Sequence, residues 1–420
     1  MREMKDSGIA WIGAMPRAWK MNTIAQIFLQ VKCKNTGLQE KNLLSLSYGK
    51  VKRKSIDTVE GLLPESFDGY NIIEKDDIVL RLTDLQNDHT SLRVGLAEER
   101  GIITSAYLTI RNRSNFCPKY LYYYLHSFDI AKGFYGMGAG VRQGLNWDGV
   151  KWLKILAPSV PEQERIAAFL DAECAEIDAV LEKTRASIEE YKKLKQAIIT
   201  QAVTKGIRGD RPMKDSGIEW IGDIPAEWDV IRVKQLLKER NERSKEGKEE
   251  PLSMSQKVGL VPTKFLESIP NMASSFVGAK LAYVDDLVFN KLKAHLGVFS
   301  VSRYDGLVSP DYAVYCSTGK SNLKYLEYIF KTPQCIGEFR KKSTGIAAGL
   351  MRLYTEGLFS IYLPYPALSE QEEIAEYLNE KCAGIDALIA KKQQYLTEIE
   401  NYKKSLIYEY VTGKKEVHPL

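Results

Sequence analysis

The sequence of 420 residues has no apolar run that could cross a bilayer, because polar or charged residues interrupt each run before the roughly 18–20 residues that crossing needs. Its start, MREMKDSG, lacks the apolar core of a secretory signal. The 6 cysteines include no CxxC pair, and the 4 histidines are scattered. This spacing argues against a disulfide framework, a zinc ribbon and a metal-ligand cluster. We therefore expect a cytoplasmic protein with no bound metal and no contact with a membrane.

The composition is that of a folded, globular protein. Hydrophobic residues make up 44% of the chain and charged residues 27%, which is unlike a disordered or fibrous sequence. A chain of 420 residues exceeds the size of one ordinary hydrophobic core. We expect two or three domains.

The chain repeats itself. Residues 4–19 (MKDSGIAWIGAMPRAW) and 213–228 (MKDSGIEWIGDIPAEW) match at 11 of 16 positions, at an offset of 209. A second pair begins PEQERIAAFLDAECAEIDAVLEK at 161 and SEQEEIAEYLNEKCAGIDALIAK at 369. Two copies are too few for a solenoid, so the repeats predict an internally duplicated, two-lobed molecule.

The second pair of repeats predicts two long helices. Acidic groups follow each start, apolar residues recur at three- and four-residue steps without an interrupting proline, and Gly206 and Gly413 mark plausible ends. The apolar positions are Ile166, Phe169, Leu170, Ile177, Val180, Tyr191, Leu194 and Ile198, and then Ile374, Leu378, Ile385, Leu388, Tyr395, Ile399, Tyr402 and Leu406. Because such a stripe needs a partner, we expect the two helices to form a coiled coil. We expect it to be antiparallel, because a globular segment separates the two helices in the sequence.

The segments between the helices alternate short β-rich runs with turn residues. Expected strands are IVLRL (78–82), YLTIR (107–111), WLKIL (152–156), LVFNKL (287–292), YAVYC (312–316) and FSIYLP (359–364). YLYYYLHSF and YLEYIFKT have the pattern of short amphipathic helices. The predicted fold class is α+β: two α+β lobes separated by the coiled coil, related by a pseudo-two-fold duplication.

Charge divides between these parts. Residues 1–160 carry a net +6 and 207–368 a net +4, whereas the helical segments 161–206 and 369–420 carry −2 and −3. Two basic lobes on an acidic spacer suggest a polyanion that is held at two places. Ordinary surface charge is the alternative interpretation, so charge alone does not establish nucleic-acid binding.

The paired MKDSGI-W-IG-P-W boxes, the PEQE and SEQE helix starts and the EYVTGK end resemble the specificity subunits of type I restriction-modification systems. The resemblance covers essentially the whole chain. It implies two target-recognition domains, each recognising one half of a split DNA sequence, and a helical ruler between the half-sites. It further implies a subunit without catalysis of its own that recruits two methyltransferase (M) subunits and, optionally, restriction-translocase (R) subunits.

On this basis we assign 1–160 to the first target-recognition domain and 161–206 to the first spacer helix. Residues 207–368 are assigned to a linker box with the second target-recognition domain, and 369–420 to the second spacer helix with a C-terminal tail. The lobes differ substantially in sequence, so we expect an asymmetric target.

The candidate contacts to double-stranded DNA are basic and amide side chains in loop-like stretches, since these types bind phosphates and base edges. In the first lobe they are Tyr48, Lys50, Lys52, Arg53, Lys54, Arg81, Gln86, Asn87, Arg142, Gln143 and Asn146. In the second lobe they are Ser255, Gln256, Lys257, Asn290, Lys291, Lys293, His295, Arg340, Lys341 and Lys342. Any single member could equally be an ordinary solvated side chain.

Two motifs resemble cofactor sites but lie in the wrong context. GMGAG (136–140) lacks the preceding strand and following helix of a nucleotide-binding loop, so a loop near DNA is the better interpretation. SPDY (309–312) resembles the signature of adenine-amino methyltransferases, but Asp311 stands where that family has a second proline. We interpret it as a turn that enters a strand, and we expect no cofactor.

Other tempting residues have structural interpretations. The pairs Asp76–Asp77 and Asp285–Asp286 precede strands and have no nearby lysine to complete a nuclease site, so we expect turns. Cys174 and Cys382 lie at matched helix positions, which indicates core packing. The four box tryptophans (Trp11, Trp19, Trp220 and Trp228) either pack each lobe against the helices or dock the methyltransferase, and packing is favoured.

Three functions remain open at this point: a non-catalytic recognition subunit, an enzyme that modifies DNA alone, and a coiled-coil scaffold whose lobes bind proteins or, outside any restriction system, DNA. The first accounts for the repeats and the charge distribution together.

Overall fold

The computed structural model describes residues 2–55, 66–88, 90–137, 144–256, 258–266, 275–345 and 351–417. The chain forms two compact units. Unit 1 consists of Met1–Arg185 and Gln394–Leu420, and unit 2 of Ala186–Gln393. Each unit therefore contains one lobe together with parts of both long helices.

The first lobe consists of short strands with three helices. Its strands are β1 (Met4–Asp6), β2 (Ala14–Pro16), β3 (Lys20–Thr23), β4 (Phe28–Gln30), β5 (Leu44–Ser47), β6 (Lys50–Arg53), β7 (Asn71–Ile73), β8 (Ile78–Leu80), β9 (Val94–Leu96), β10 (Gly101–Ile103), β11 (Leu108–Asn112) and β12 (Lys154–Ala157). Its helices are α1 (Ile24–Ile27), α2 (Pro118–Ile130) and α3 (Trp147–Val150), after which the chain enters the long helix α4 (Val160–Lys205).

The second lobe repeats the order of the strands, although the positions of its helices differ. Its strands are β13 (Met213–Asp215), β14 (Asp223–Pro225), β15 (Asp229–Arg232), β16 (Leu237–Arg240), β17 (Leu252–Ser255), β18 (Gly259–Pro262), β19 (Lys280–Ala282), β20 (Leu287–Asn290), β21 (Phe299–Val301), β22 (Gly306–Val308), β23 (Tyr312–Ser317) and β24 (Tyr362–Tyr365). Its helices are α5 (Leu323–Phe330), α6 (Pro333–Lys342) and α7 (Thr355–Phe359), followed by the long helix α8 (Leu368–Val411). Short 3₁₀ turns cover Val233–Gln235, Thr263–Phe265 and Ala294–Leu296.

Each lobe is built around a four-stranded antiparallel sheet, in the order β4-β11-β8-β9 in the first lobe and β16-β23-β20-β21 in the second. Two-stranded pairs accompany each sheet, namely β1–β2, β3–β12, β5–β6 and β7–β10, matched by β13–β14, β15–β24, β17–β18 and β19–β22. The predicted α+β class and internal duplication are confirmed, because the strand order is the same in both lobes.

The long helices run antiparallel within each unit. In unit 1, Lys403 Nζ lies 2.6 Å from Asp178 Oδ1, and Arg185 pairs with Glu400 at 2.6 Å. As the residue number rises along α4 it falls along α8, which defines an antiparallel pair. In unit 2, Lys195 pairs with Asp386, and Arg208, just after α4, pairs with Glu373, each at 2.6 Å, so the order is again reversed.

The first turn of α4 is tied to the sequence box of unit 1. The buried Trp19 donates its indole Nε1 hydrogen to Glu162 Oε2 at 3.1 Å. Arg2 pairs with the other oxygen of Glu162 at 2.5 Å and lies 5.7 Å from the centre of the Trp19 ring. The glutamate at the helix start therefore binds the box as well as complementing the helix dipole.

Unit 2 repeats this cluster side chain for side chain. Trp228 is fully buried and donates to Glu370 Oε2 at 2.9 Å. Arg211 pairs with Glu370 Oε1 at 2.6 Å and lies 5.3 Å from the Trp228 ring centre. Burial of both tryptophans supports the packing interpretation for these two positions.

The next residue of each helix is a fully buried glutamine, which forms hydrogen bonds with the backbone of two other segments. Gln163 Oε1 accepts from the backbone N–H of Cys117 at 2.9 Å, and its Nε2 donates to the carbonyl of Pro158 at 2.9 Å. Gln371 accepts from Asn322 at 3.0 Å and donates to Pro366 at 3.0 Å. Each glutamine thus joins a long helix to the start of its lobe helix, α2 or α5.

The end of each long helix docks on a lobe tyrosine. Tyr325 donates its hydroxyl to the carbonyl of Val203, near the end of α4, at 3.3 Å. In unit 1 the matching Tyr120 donates to the carbonyl of Val411, at the end of α8, at 3.3 Å. The C-terminal end of the chain therefore completes unit 1 in the place that the end of α4 takes in unit 2.

Two expectations about the elements were wrong. Residues 359–364 do not form one strand, because Thr355–Phe359 is the helix α7 and the strand β24 begins only at Tyr362. Several apolar helix positions expected to face the partner helix are exposed instead, namely Val180, Leu194, Leu388, Tyr395 and Tyr402. Other positions of the stripe, among them Ile166, Leu170, Ile374 and Leu378, are buried in the cores as expected.

Among the described residues, no helix combines the length and the apolar character that a bilayer span requires.

We predict that replacing either buried glutamine destabilises the unit that contains it. Gln163→Ala and Gln371→Ala each leave a buried backbone N–H and a carbonyl without a partner, which costs about 2–4 kcal/mol. Urea unfolding followed by circular dichroism measures the loss. The exposed Gln394→Ala on α8 is the matched control and should change stability by less than about 0.5 kcal/mol. Equal losses in all three variants would contradict the prediction.

Candidate nucleic-acid interface

The first-lobe candidate residues lie on a hairpin and on a neighbouring loop. Tyr48 occupies the β5–β6 turn, where it is 88% exposed and has a left-handed φ of 48°. Next to it, a Cβ atom at Gly49 would come within 3.1 Å of Leu92 Cβ, so the hairpin turn lies against the β8–β9 connection. The hairpin of YGKVKRK therefore lies against Leu92, which follows the stretch RLTDLQND in the same connection of unit 1.

Some basic side chains of the hairpin already have acidic partners. Arg53 Nε donates to Glu99 Oε1 at 2.7 Å, and Lys50 Nζ lies 3.7 Å from Asp178 on α4. Lys52 is exposed on β6, and the half-buried Lys54 donates its backbone N–H to Leu43. The hairpin thus combines side chains fixed by ion pairs with an exposed lysine.

The β8–β9 connection carries the other first-lobe candidates. Gln86 and Asn87, which follow the buried Leu85, are exposed. Asn87 Nδ2 donates to Asp84 Oδ1 at 2.8 Å, and Arg81 lies 3.5 Å from Asp88 Oδ2. The amide of Asn87 is held in one orientation by its bond to Asp84.

The segment that follows α2 returns to this connection, since Leu145 donates its backbone N–H to the carbonyl of Leu82 at 2.8 Å. Asn146 is exposed and caps α3 by accepting from Gly149 at 3.1 Å. Arg142 and Gln143, together with most of the GMGAG stretch, lie outside the described residues.

In unit 2 three candidate stretches gather around the β20–β21 connection. Gln256 Nε2 donates to the carbonyl of Leu296 at 3.1 Å, which joins the β17–β18 turn to that connection. Leu353 donates its backbone N–H to the carbonyl of Lys291 at 3.0 Å. Helix α6, which ends in Arg340, Lys341 and Lys342, packs on the 3₁₀ turn Ala294–Leu296. Helix α6, whose last residues are basic, therefore lies beside the turn that contains His295.

Several of these side chains also have structural roles. Asn290 Oδ1 accepts from the backbone of Leu292 at 3.1 Å and of Lys293 at 3.2 Å, which closes the turn after β20. Lys341 pairs with Glu338 at 2.7 Å. Ser255 is half-buried at the end of β17, and Lys257 lies outside the described residues. Which of the candidates bind DNA stays a prediction.

The paired aspartates are turn residues, as expected, and each pair contributes one buried carboxylate to an ion pair. Asp76 and Asp285 have left-handed φ values of 70° and 66°, which aspartate tolerates better than most residues. The buried Asp77 accepts two bonds from Arg111 at 2.7 Å each. Asp286 binds Arg240 in the same way, although that arginine comes from a different strand of the sheet.

Sequence reasoning missed a buried polar group behind the first-lobe loop. Arg93, immediately before β9, is fully buried, and its guanidinium donates to carbonyls of the loop. Its backbone N–H donates to Asp129 Oδ2 on α2 at 2.6 Å. No local pattern distinguishes this arginine from a surface one, because its partners lie in three separate segments.

Asp129 is an unusual carboxylate. It is 1% exposed, and its Oδ1 has no hydrogen-bond partner among the described residues. Burial raises the pKa of Asp129 to about 6, against the opposing effects of the Arg93 backbone bond and of the charges on Lys132 and Arg93. Nearby, burial lowers the pKa of His126 to about 4, so this histidine is neutral at pH 7.

Among the described residues, no group of three or more histidine, cysteine or carboxylate side chains is placed to hold a metal ion. Cys174 and Cys382 are buried in the cores of the two units, as expected, and burial raises the pKa of each thiol.

We predict that Asp129→Asn changes how stability depends on pH. Because the folded-state pKa of Asp129 is raised, its ionisation destabilises the fold, and this penalty grows as the pH rises from about 4 to above 6. The asparagine variant should therefore gain stability relative to the wild type, by on the order of 2 kcal/mol, between pH 4.5 and 7.5. Denaturant unfolding at both pH values measures the change.

Asp148→Asn is the control for this comparison. Its bond with Lys151 lowers the pKa of Asp148, so removing that carboxylate should shift the difference in the opposite direction or not at all. A gain with rising pH in Asp148→Asn, or none in Asp129→Asn, would contradict the assignment.

Known proteins of similar sequence are specificity subunits. The chain is 24% identical over 286 residues to the type I restriction enzyme MjaVIII specificity subunit of Methanocaldococcus jannaschii, covering 64% of this chain and 63% of that protein. It is 22% identical over 290 residues to the EcoDI specificity subunit of Escherichia coli, covering 62% of each. The alignments thus span slightly less than two thirds of these relatives. No protein-family model matches the chain.

Solved structures share the fold over nearly the whole chain. One, from a study of complex assembly and conformational transition of the type I R-M system, has a TM-score of 0.70 at 14% identity and covers 96% of this chain and 99% of its own. The HsdS subunit of Thermoanaerobacter tengcongensis has a TM-score of 0.51 at 15% identity, with 96% and 98% covered. The chain therefore shares the fold of these solved structures, and over slightly less than two thirds of its length it resembles type I specificity subunits in sequence.

Proposed function

We propose that the chain is the DNA sequence-recognition subunit of a type I restriction-modification complex, and that it has no catalytic step of its own. One observation carries this proposal: two units of the same strand order present basic and amide side chains on corresponding connections. In both units these are one hairpin, β5–β6 or β17–β18, and the connection between two neighbouring strands of the four-stranded sheet, β8–β9 or β20–β21. A duplicated scaffold of this kind suits two separate half-sites on one duplex.

The target is asymmetric in this proposal, because the two recognition surfaces differ. The β8–β9 connection runs from Arg81 to Arg93, whereas the β20–β21 connection runs only from Lys291 to Val298. The first carries amides, Gln86 and Asn87, which suit adenine edges, and the second carries cationic groups, which suit guanine edges and phosphates. Two dissimilar surfaces of this kind do not select a palindrome.

The long helices are proposed to set the distance between the half-sites. Half-sites recognised from one side of a duplex are about 34 Å apart per helical turn. Helices α4 and α8 contain 46 and 44 residues, and each continues from one unit into the other without a break. A continuous helix holds a fixed length, which a flexible linker of the same number of residues does not.

Each unit also has exposed apolar residues on its parts of the long helices. Val180, Leu194, Leu388, Tyr395 and Tyr402 are exposed although the helical pattern places them on an apolar stripe. We propose that M subunits, two per chain, cover these residues, and that R subunits join the same complex where the system has them. This complex would act in the cytoplasm, which stays a prediction. A DNA-binding scaffold outside a restriction system is not favoured, since the relatives are named restriction-enzyme subunits.

Selection from a randomised duplex library tests the proposal. The full chain, purified with the methyltransferase that we propose as its partner, should enrich one bipartite motif whose halves differ and whose spacing is constant. Specific binding should exceed nonspecific binding by about 10³-fold or more at physiological salt. Enrichment of no motif, with binding that depends on salt alone, would refute recognition.

Salt dependence tests the basic residues in each unit. We predict that Lys52→Gln and Lys293→Gln each reduce the slope of log affinity against log salt by about 1, because each removes one phosphate contact. The double variant should lose about 2. Filter binding between about 50 and 200 mM salt measures these slopes. Lys183→Gln, an exposed lysine on α4, is the control, and a slope change as large in this variant would contradict the assignment.

A further inference from the structure

The β8–β9 connection of unit 1 is held in shape by one side chain. Arg93 Nη1 donates to the carbonyls of Arg81 at 3.0 Å and Thr83 at 2.8 Å. Nη2 donates to the carbonyls of Asp84 at 3.3 Å and Asp88. The guanidinium thus binds four backbone carbonyls spread over eight residues of the same loop.

The remaining donor of Arg93 is also used. Its Nε donates to the hydroxyl of Tyr135 at 3.1 Å, and that hydroxyl donates in turn to the carbonyl of Asp88 at 3.1 Å. The Tyr135 ring centre lies 5.0 Å from the guanidinium carbon. Tyr135 therefore connects the loop to the segment that follows α2.

Burial of this arginine carries a cost that its partners must offset. A charged group loses its hydration when it is removed from water, and Arg93 is 0% exposed. Its side-chain hydrogen-bond partners are four carbonyls and one hydroxyl rather than a paired carboxylate. Lysine could not replace it, because an ammonium group has three donors on one nitrogen and does not span four carbonyls. The planar guanidinium therefore imposes one loop shape.

The corresponding loop of unit 2 is held differently. Val94 begins β9 and pairs with Leu80, and Phe299 begins β21 and pairs with Phe289, so Val298 takes the place of Arg93. There the loop is closed by Asn290 and by Gly297, which has a left-handed φ of 76°. The arginine belongs to the shape of the first loop alone, not to the duplicated scaffold.

We propose that Arg93 is the positioning residue of the unit 1 recognition loop, and that it determines which bases of one half-site are preferred. This inference rests on the proposed function. By binding the carbonyls on both sides of Leu85, Arg93 fixes the backbone that carries Gln86 and Asn87 on the exposed side. A base-edge contact depends on the direction of its amide, so a loop that is free to change shape loses discrimination but keeps its phosphate contacts.

The test compares full-length variants in the duplex selection, with base preference scored separately for each half-site. Arg93→Lys should lose discrimination by about tenfold or more at one or more positions of a single half-site, because one bidentate contact accounts for that range. The other half-site, and the slope of affinity against salt, should stay unchanged. A purely structural role would instead weaken both half-sites together.

Tyr135→Phe keeps the inference testable if Arg93→Lys does not fold. It removes one hydroxyl that binds both Arg93 and Asp88, and it should weaken preference at the same positions by about threefold, the effect of one lost hydrogen bond. Tyr123→Phe is the matched control, since its hydroxyl binds Asp171 on α4 at 2.8 Å, away from the loop. It should keep the wild-type preferences.

Wild-type preferences in a folded Arg93→Lys chain would overturn the inference. So would wild-type preferences in Tyr135→Phe when the lysine variant is unfolded, or a loss shared equally by both half-sites. The wild-type arm separates these results from failure of the proposed function: if the wild-type chain enriches no motif, recognition itself is refuted, and the inference with it.

Discussion

The structure depends on the bond between a box tryptophan and the glutamate in the first turn of a long helix. Trp19 with Glu162, and Trp228 with Glu370, join the sequence box to the helix, and the following glutamine joins that helix to the lobe. Burying an indole N–H or an amide without a hydrogen-bond partner costs the fold several kcal/mol of stability, so few other side chains are tolerated at these positions. The joint is made twice with the same side chains, and it gives both lobes the same relation to their helices.

In each unit the end of a long helix also packs on the lobe. In unit 2 the end of α4 packs on the lobe that it precedes, through Val203 and Tyr325. In unit 1 the end of α8 takes the corresponding place, through Val411 and Tyr120. Lys414 extends the closure by donating to the carbonyl of Ile12 at 2.8 Å. Each unit is thus assembled from residues that are far apart in the chain, although the repeat itself is linear.

Much of the fold could be predicted from the sequence. Each repeated motif is a continuous stretch of sequence, and the helical pattern of apolar residues continues over a long segment. The candidate surface was only partly predictable. The basic stretches are visible as composition, but Arg53 has its partner at Glu99 and Lys50 at Asp178, and such pairs form only after folding. The role of Arg93 depends on carbonyls, which every residue has, so no side-chain pattern could indicate it. The strand expected at 359–364 was wrong because apolar content alone does not distinguish the turn of α7 from a strand.

These contacts show that the scaffold is the same in both units, whereas the loops differ. The sheets match in strand order, and their buried aspartates, Asp77 and Asp286, keep the same role even though the arginine partner comes from another strand. This replacement shows that the scaffold needs a cation at that point rather than a particular sequence. The recognition loops differ in length, in the residue before the last strand and in the group that closes them. A protein that keeps the joint to its helices constant can therefore change one loop without disturbing the other, since no described hydrogen bond of Arg93 reaches beyond unit 1. Independent loops on a common joint are what the proposed asymmetric, two-part target requires.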